Sequence, residues 1–292
     1  MTTPRYNLDT CAMLVEFNAS VWTARKLDKS TTDEVVTNKN AAAKDAARVN
    51  KHLLAGRTEL DVVQQMVNRA RNYVYDHTLP WSDSGLRLLP TANFVAFTER
   101  MNQFEEEFAM LVSDFVNIYP TLITAQAMAL GDMFKRDDYP TANEIMTKFA
   151  FRVGFLPVPT AGDFRVDIGN EAQAELKAKL EAMAEERVEA AMRDIRTRLK
   201  EHLKRMSDRL TTDYVQGEAK QRRFHDSLVD GALELCDLTK ALNVVGDASL
   251  EAARKELEQA LLGVTPQELR KNEYVRQDTK KAVDAILNKF SF

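Results

Sequence analysis

Apolar residues recur every three or four positions along residues 170–216. This segment contains neither proline nor glycine, and Gly217 follows it. This spacing predicts one α-helix of roughly 47 residues with an apolar stripe on one side. From Val188 onward the spacing repeats every eleven residues, which keeps the stripe on one side of a nearly straight helix. Because such a helix is roughly 70 Å long at about 1.5 Å per residue, we expect other helices or a second subunit to cover it. The stripe consists of Leu176, Leu180, Met183, Val188, Met192, Ile195, Leu199, Leu203, Met206 and Leu210.

The same helical spacing appears in several other segments. Residues 28–50 begin with Ser30 or Thr31 as a helix cap and continue into an alanine-rich stretch, which favours helix. Residues 91–130 carry phenylalanines three or four positions apart, and Pro120 is expected to kink or split that helix. The remaining predicted helices are 58–77, a return helix beginning near Phe224, and the segments 247–262, 265–271 and 276–290.

Three segments, 13–24, 149–156 and 163–168, alternate between apolar and polar residues and are predicted strands. Residues 78–90 contain two prolines, a glycine and large apolar side chains. They predict a structured loop, since leaving such side chains in water costs about 1.5 to 3 kcal/mol each. We expect Pro80, Trp81, Gly85 and Arg87 to pack in this loop, and Asp163 and Arg165 to lie exposed in the turn of the sheet.

Together these elements predict a mainly α protein of the α+β kind. Its architecture is an elongated helical bundle built on the helix 170–216, with a small antiparallel sheet at one end. The length of 292 residues suits one domain spanning 1–292. The alternative is a division into 1–168, with helices and the sheet, and 169–292, with the long helix and the C-terminal helices.

Composition narrows the functional classes. A formal charge of −4 gives no global attraction to nucleic acid or to an anionic membrane, so either would require a local patch. Cys11 and Cys236 are far apart in the sequence and outside any CxxC pair, which predicts a reducing compartment. No basic leader precedes an apolar run, and no 18 consecutive residues are apolar, so neither a signal peptide nor a membrane span is expected.

No motif in the chain predicts catalysis. The sequence contains neither a GxxxxGK[ST] loop nor a GxGxxG after a strand. Glu105–Glu107 are interpreted as a solvated helix face and Asp137–Asp138 as a turn. We therefore predict a protein that is not an enzyme, with no catalytic, cofactor-binding or metal-binding residues. Four histidines fall on four different predicted elements and are expected to be structural or on the surface: His52, His77, His202 and His225.

The most distinctive charge pattern lies in the second half of the long helix and the turn that follows it. Residues 193–223 contain ten basic and five acidic residues, a local charge of +5. Such a row could neutralise phosphates, although no aromatic residue alternates with it. The interleaved acids equally favour an exposed, salt-bridged helix or a surface for an acidic protein. The candidate nucleic-acid-binding residues are Arg193, Arg196, Lys200, Lys204, Arg222 and Arg223. The candidate partner-binding residues are Leu176, Leu180, Met192, Ile195, Leu199 and Met206.

The chain resembles a group of uncharacterised, mostly helical proteins encoded by tailed bacteriophages. The resemblance rests on LPWSDSGLRLLP at 79–90, DYP at 138–140, FLPVP at 155–159, DFRV at 163–166 and RFHDSLV at 223–229. It implies a phage protein in the cytoplasm of the infected cell and carries over no catalytic residue. The opening SVWTARK at 20–26 is similar to a broader family of unknown function. Its members are often encoded near ring-forming ATPases of the MoxR type, which implies such an ATPase as a partner.

Two functional hypotheses follow. The first is a non-enzymatic interaction or scaffold protein that forms homo-oligomers through the long helix. The second is a DNA- or RNA-binding accessory protein of phage replication or recombination that uses the basic face of residues 193–223. Neither hypothesis involves a cofactor or a membrane.

Overall fold

A computed structural model of the protein describes residues 8–43, 45–159, 170–215 and 218–290. The fold is mainly helical with a small antiparallel sheet, which confirms the predicted fold class. The helices are α1 (Leu8–Cys11), α2 (Lys29–Asn38), α3 (Glu59–His77), α4 (Phe94–Leu130), α5 (Ala142–Met146), α6 (Asn170–Leu210), α7 (Ser227–Leu242), α8 (Ala248–Ala260), α9 (Pro266–Lys271) and α10 (Glu273–Lys289). The strands are β1 (Ala12–Ser20), β2 (Arg25–Leu27), β3 (Asn50–His52), β4 (Leu79–Pro80), β5 (Arg87–Pro90), β6 (Ala150–Leu156), β7 (Thr212–Val215) and β8 (Glu218–Gln221).

The main sheet has four strands in the order β4-β5-β1-β6. β1 and β6 confirm two predicted strands, whereas the predicted strand 163–168, with Asp163 and Arg165, lies outside the described residues. β5 pairs antiparallel with both β1 and β4, so the segment predicted as a loop is a hairpin. Trp81 is buried there, as expected, and Gly85 adopts a φ of 94°, a left-handed value that glycine tolerates best.

The chain divides into two compact units. The larger unit comprises residues 1–16, 74–97 and 154–292, and the smaller comprises 17–73 and 98–153. The alternative division considered above places its boundary at residue 168, which lies outside the described residues. The chain crosses from one unit to the other within β1, α3, α4 and β6. Because these crossings lie inside regular elements, no change in amino-acid composition marks them in the sequence.

The core of the larger unit forms around the second half of α6. Six residues of its apolar stripe share one buried cluster with side chains of α7, α8 and α10. α6 therefore gains its stability from tertiary packing of one face, as is usual for amphipathic helices. The six residues are Val188, Met192, Ile195, Leu199, Leu203 and Met206.

The core of the smaller unit is rich in aromatic residues. Phe115 of α4 contacts the ring of Phe149 at 5.7 Å and that of Tyr119 at 5.8 Å between centroids. By length and composition alone, the helical segment Thr91–Met133 could cross a membrane, whereas we expected no span from the sequence. The 18-residue window of this segment that meets the criterion is 28% buried, and Phe108 and Phe115 of α4 are among the buried residues of the smaller unit.

The clearest departures from the predicted helices are in α2, α4 and α6. α2 ends at Asn38, and the described residues of the alanine-rich stretch are not helical, because α2 buries no side chain to stabilise a longer helix. Its N-cap is Asp28, not Ser30 or Thr31. α4 continues through Pro120 without dividing. α6 ends at Leu210, and the next residues form the β7–β8 hairpin instead of a further helical turn.

Candidate nucleic-acid interface

The structure places most of the predicted partner-binding residues in the core of the larger unit. Met192, Ile195, Leu199 and Met206 are each at most 3% exposed. Leu180 is half-buried, and the side chain of Leu176 is not among those described. The prediction of a free stripe is corrected for the four buried residues, because helices of the same chain already cover them.

The six basic residues predicted to bind nucleic acid fall into two groups, those that form an ion pair within the chain and those that do not. Arg193 pairs with Glu189 at 3.2 Å, and Arg222 pairs with Asp213 at 2.9 Å. Arg196 Nε donates a hydrogen bond to Asp247 Oδ2 at 3.1 Å. These three arginines are therefore already neutralised within the chain. Three members of the row have no ion pair among the described residues: Lys200, Lys204 and Arg223.

A different set of basic residues comes together around a cavity of about 560 Å³ in the larger unit. Arg205, Arg209 and Arg223 line it with exposed side chains, and none of the three forms an ion pair within the described part of the chain. Among the residues that the structure describes, no aspartate or glutamate lines it. We call this site the basic cleft. Its lining is completed by His202, Phe224, His225, Ser227 and Leu228.

Two segments build the cleft. Arg205 and Arg209 are four residues apart on α6, so they lie on the same face, about 6 Å apart along the helix axis. Arg223 belongs to the short connection between β8 and α7, which is brought against the end of α6. Arg209 Nη1 donates a hydrogen bond to the carbonyl of Arg223 at 3.5 Å, a contact that joins the two segments.

The backbone under the cleft is held by Arg276 of α10, which is 1% exposed. Its Nε donates to the carbonyl of Leu210 at 3.0 Å, and its Nη1 donates to that of Leu269 at 3.3 Å. Its Nη2 donates to the carbonyls of Arg209 at 2.6 Å and Arg222 at 2.9 Å. One side chain thus satisfies carbonyls at the end of α6, before α7 and at the end of α9.

The cleft also contains an aromatic ring. Phe224 is half-buried, and the guanidinium of Arg270 lies 4.9 Å from its ring centroid. Arg276 lies 5.4 Å from the same centroid, so two cations contact this ring. Phe224 directly follows Arg223 in the sequence, and only the fold brings its ring to the same cavity as Arg205 and Arg209.

His202 lies at the floor of the cleft and is 8% exposed. Its Nε2 lies 3.2 Å from the carbonyl of Leu228, so that nitrogen donates, and its Nδ1 accepts from Arg205 Nη2 at 3.4 Å. This arrangement requires the neutral imidazole. Burial lowers the pKa of His202, and the charge of Arg205 lowers it further, whereas the bond to Leu228 opposes both effects.

A second cavity of about 480 Å³ adjoins the cleft and shares His202 and Arg205 with it. Here the lining includes carboxylates, unlike that of the basic cleft. The combined surface is therefore polar along its length, with positive charge concentrated at the Arg223 end. The carboxylates are Asp76, Glu201, Glu234 and Asp237, and Arg198 lies among them.

The chemistry available at the cleft is recognition of an anion. Guanidinium groups bind phosphate oxygens through paired N–H donors, and the three here lack a carboxylate partner. Within the described residues, no group of three or more His, Cys, Asp or Glu is arranged to hold a metal ion. Burial raises the pKa of the Cys236 thiol to about 12, so it is protonated near neutral pH and is a poor nucleophile.

His202 should make the stability of the protein depend on pH. Because the pKa of His202 is lower in the folded than in the unfolded state, acid protonates the unfolded state first. The free energy of unfolding should therefore fall as pH drops below about 6.5, the ordinary histidine value. Urea unfolding at a series of pH values between about 5 and 8 would measure this change in the free energy of unfolding.

Two histidine variants separate this effect from general acid sensitivity. H202Q, which retains a donor and an acceptor, should show a weaker fall in stability over that range. H225Q changes an exposed histidine of the same cleft and should follow the wild type. Equal pH dependence in H202Q and the wild type would contradict the assigned role of His202.

Comparison with known proteins yields no match to a family model, to a curated protein or to a solved structure. The role proposed for the cleft therefore rests on its own geometry.

Proposed function

We propose that the protein is a non-enzymatic nucleic-acid-binding protein that holds single-stranded DNA or RNA in the basic cleft. The observation that carries the proposal is the convergence of Arg205, Arg209 and Arg223 on one cavity without a carboxylate. The chain as a whole has a formal charge of −4, so this local positive charge is not a by-product of a basic composition. Phosphates would supply the missing counter-charge.

The shape and lining of the cleft favour a single strand over a duplex. Proteins that bind single strands combine a positive groove for the backbone with aromatic side chains on which bases stack. Arg205 and Arg209 offer two guanidinium groups one helical turn apart, and Phe224 offers a ring beside them. A base can reach that ring only when it is unpaired, because bases in a duplex are stacked on one another.

The resemblance to phage proteins supports a role in the cytoplasm of an infected bacterium. There the protein would act as an accessory factor of replication or recombination, processes that expose single strands. The cleft requires no cofactor for this role.

A second candidate function is self-association through the first half of α6. Among residues 175 and 178–187 no side chain is buried, and Met183 is 45% exposed. Acidic residues predominate there, whereas basic residues predominate toward the end of α6. An antiparallel pair in which the first half of one α6 lies against the second half of the other would therefore bring opposite charges together, as in helical pairs whose orientation is set by charge. Glu175, Glu181, Glu185, Glu186 and Glu189 are the exposed acids among the described side chains of this part.

Mass in solution, measured by light scattering with and without short single- and double-stranded DNA, tests both candidates. If the cleft binds nucleic acid, single-stranded DNA should raise the mass at low salt, and moderate salt should remove the effect because counterions are released on binding. A stable oligomer that is indifferent to DNA would instead support self-association. A monomer that binds neither nucleic acid nor itself would contradict both candidates.

A further inference from the structure

The smaller unit contains its own cavity, of about 300 Å³, at the segment 20–26 that carries part of the family resemblance. Its polar lining comes from three stretches of chain. Trp22 lies between β1 and β2, and Arg25 is the first residue of β2. His52 ends β3 and Arg57 follows it. Asp61 and Gln64 lie on the first turns of α3. The volume is near the lower end of the range for small-ligand pockets, about 300 to 1,000 Å³. It suits one compact molecule rather than an extended chain.

Backbone pairing fixes the basic side of this cavity. β2 and β3 are antiparallel, with Arg25 directly opposite His52, so their side chains lie on the same side of the ribbon. The adjacent residue of β3, Lys51, lies on the opposite side of the ribbon. It is buried there, and its Nζ donates a hydrogen bond to the carbonyl of Met133 at 2.8 Å. A turn containing Gly56, with a φ of 72°, then places Arg57 at the cavity.

The charged groups of the cavity have no partners of their own. The side chains of Arg25, His52, Arg57 and Asp61 form neither a hydrogen bond nor an ion pair among the residues that the structure describes. Arg25, His52 and Arg57 are also exposed, so they can reach a ligand without breaking an existing contact. Two free guanidinium groups beside one imidazole form a donor set suited to a phosphate.

Trp22 supplies a rigid aromatic surface. It is half-buried, and its ring contacts that of Tyr119 at 5.7 Å with the two planes nearly perpendicular, at 89°. It also lies 6.4 Å from the ring of Phe115. These contacts hold the indole in place while part of it lines the cavity. Asp61 and Gln64, three residues apart on α3, add a carboxylate and an amide that can pair with the polar edge of a base.

We propose that this cavity binds a nucleotide, with its base against Trp22, its phosphate on Arg25 and Arg57, and its base edge toward Asp61 and Gln64. The site lies in the smaller unit and is independent of the basic cleft. The same chemistry is present in a free mononucleotide and in the phosphorylated end of a strand, and the experiment separates these two sources.

Tryptophan fluorescence gives a direct readout, because the chain contains only two tryptophans, Trp22 and Trp81. In the W81F variant all tryptophan emission comes from Trp22. Titration with AMP, GMP, CMP and UMP should quench this emission until the site is saturated. Isothermal titration calorimetry gives a second measure of binding. Free N-acetyltryptophanamide is the control for light absorbed by the nucleotide. Should W81F fail to fold, W22F tests the same point: the quenching seen in the wild type should disappear.

Charge variants test the assigned residues. R25A and R57A should each weaken binding about tenfold, the scale expected for one charge-assisted contact to phosphate. R48A removes an exposed arginine of the same unit that does not line the cavity and should bind like the wild type. A 5′-phosphorylated oligonucleotide that binds through Arg25 and Arg57 more tightly than AMP would identify the strand end as the ligand, with the 5′-hydroxyl oligonucleotide as its control.

Two results would overturn the nucleotide site. One is the absence of saturable binding of every nucleotide and oligonucleotide at millimolar concentration. The other is binding that R25A and R57A leave unchanged. The R205E/R223E double variant should leave mononucleotide binding intact, so failure at this cavity and failure at the basic cleft are distinguishable.

Discussion

Reversing two charges of the basic cleft, in the double variant R205E/R223E, should weaken binding of single-stranded DNA by about 100-fold at low salt. Each reversal removes one guanidinium contact to phosphate and adds a carboxylate that repels the phosphate. A loss of about 1.4 kcal/mol of binding free energy is tenfold in affinity, so two such losses account for the factor of about 100. The dependence of affinity on salt should also become shallower, because fewer counterions are released. Fluorescence anisotropy of a labelled oligonucleotide, measured over a range of salt concentrations, gives both quantities.

The matched control is K200E/K204E. It makes the same change of net charge on α6, the helix that also carries Arg205, and neither lysine lines the cleft. Because this variant removes no lining guanidinium, it should lose only a few-fold in affinity, and salt should screen that loss. If the two double variants lose the same affinity, binding depends on the general charge of α6 and not on the cleft.

Replacing Arg276 with alanine should lower the free energy of unfolding by at least about 3 kcal/mol. The side chain is 1% exposed and donates to four carbonyls. Leaving a single buried acceptor unsatisfied costs about 1 to 3 kcal/mol, and part of this cost will be relieved where water can enter. Because these carbonyls include those of Arg209 and Arg222, the variant should also disorder the backbone that carries the cleft.

Urea unfolding followed by circular dichroism measures this loss, and a second arginine provides the comparison. R270A removes an exposed arginine that also contacts Phe224 and pairs with Asp226. As a surface ion pair this should contribute less than about 1 kcal/mol. R276K keeps the positive charge but cannot reach all four carbonyls, so it should fall between R276A and the wild type. A loss for R276A no larger than that for R270A would show that Arg276 does not organise this region.

Local patterns predicted much of the secondary structure. α3, β6 and the second half of α6 lie where hydrophobic periodicity predicts them, because each buries one face against the rest of its unit. The predicted starts at 247 and 265 coincide with helix caps, because Asp247 caps α8 and Thr265 forms a capping box with Glu268 at the start of α9. These contacts span only three or four residues, so they leave a local sequence signal. The prediction of Ser30 or Thr31 as the cap of α2 is wrong, because Asp28 caps that helix.

Where local preference and tertiary context disagreed, the prediction failed. Alanine in residues 41–47 favours helix, but the chain there must return to place β3 beside β2. The residues at 79–90 pair as a hairpin because β1 offers β5 a partner strand more than 70 positions away in sequence. Pro120 leaves α4 undivided, although its ring removes one backbone donor.

The sequence by itself determined the helical class of this protein, the stripe along α6 and the excess of positive charge in residues 193–223. Only the tertiary structure decided what these features do. α7, α8 and α10 bury the stripe from Val188 to Met206, and carboxylates pair with Arg193, Arg196 and Arg222. Arg205, Arg209 and Arg223 instead meet at one cavity, because the connection after β8 folds back onto the end of α6. Periodicity and charge count are properties of neighbouring residues, whereas burial and ion pairing depend on contacts between distant ones.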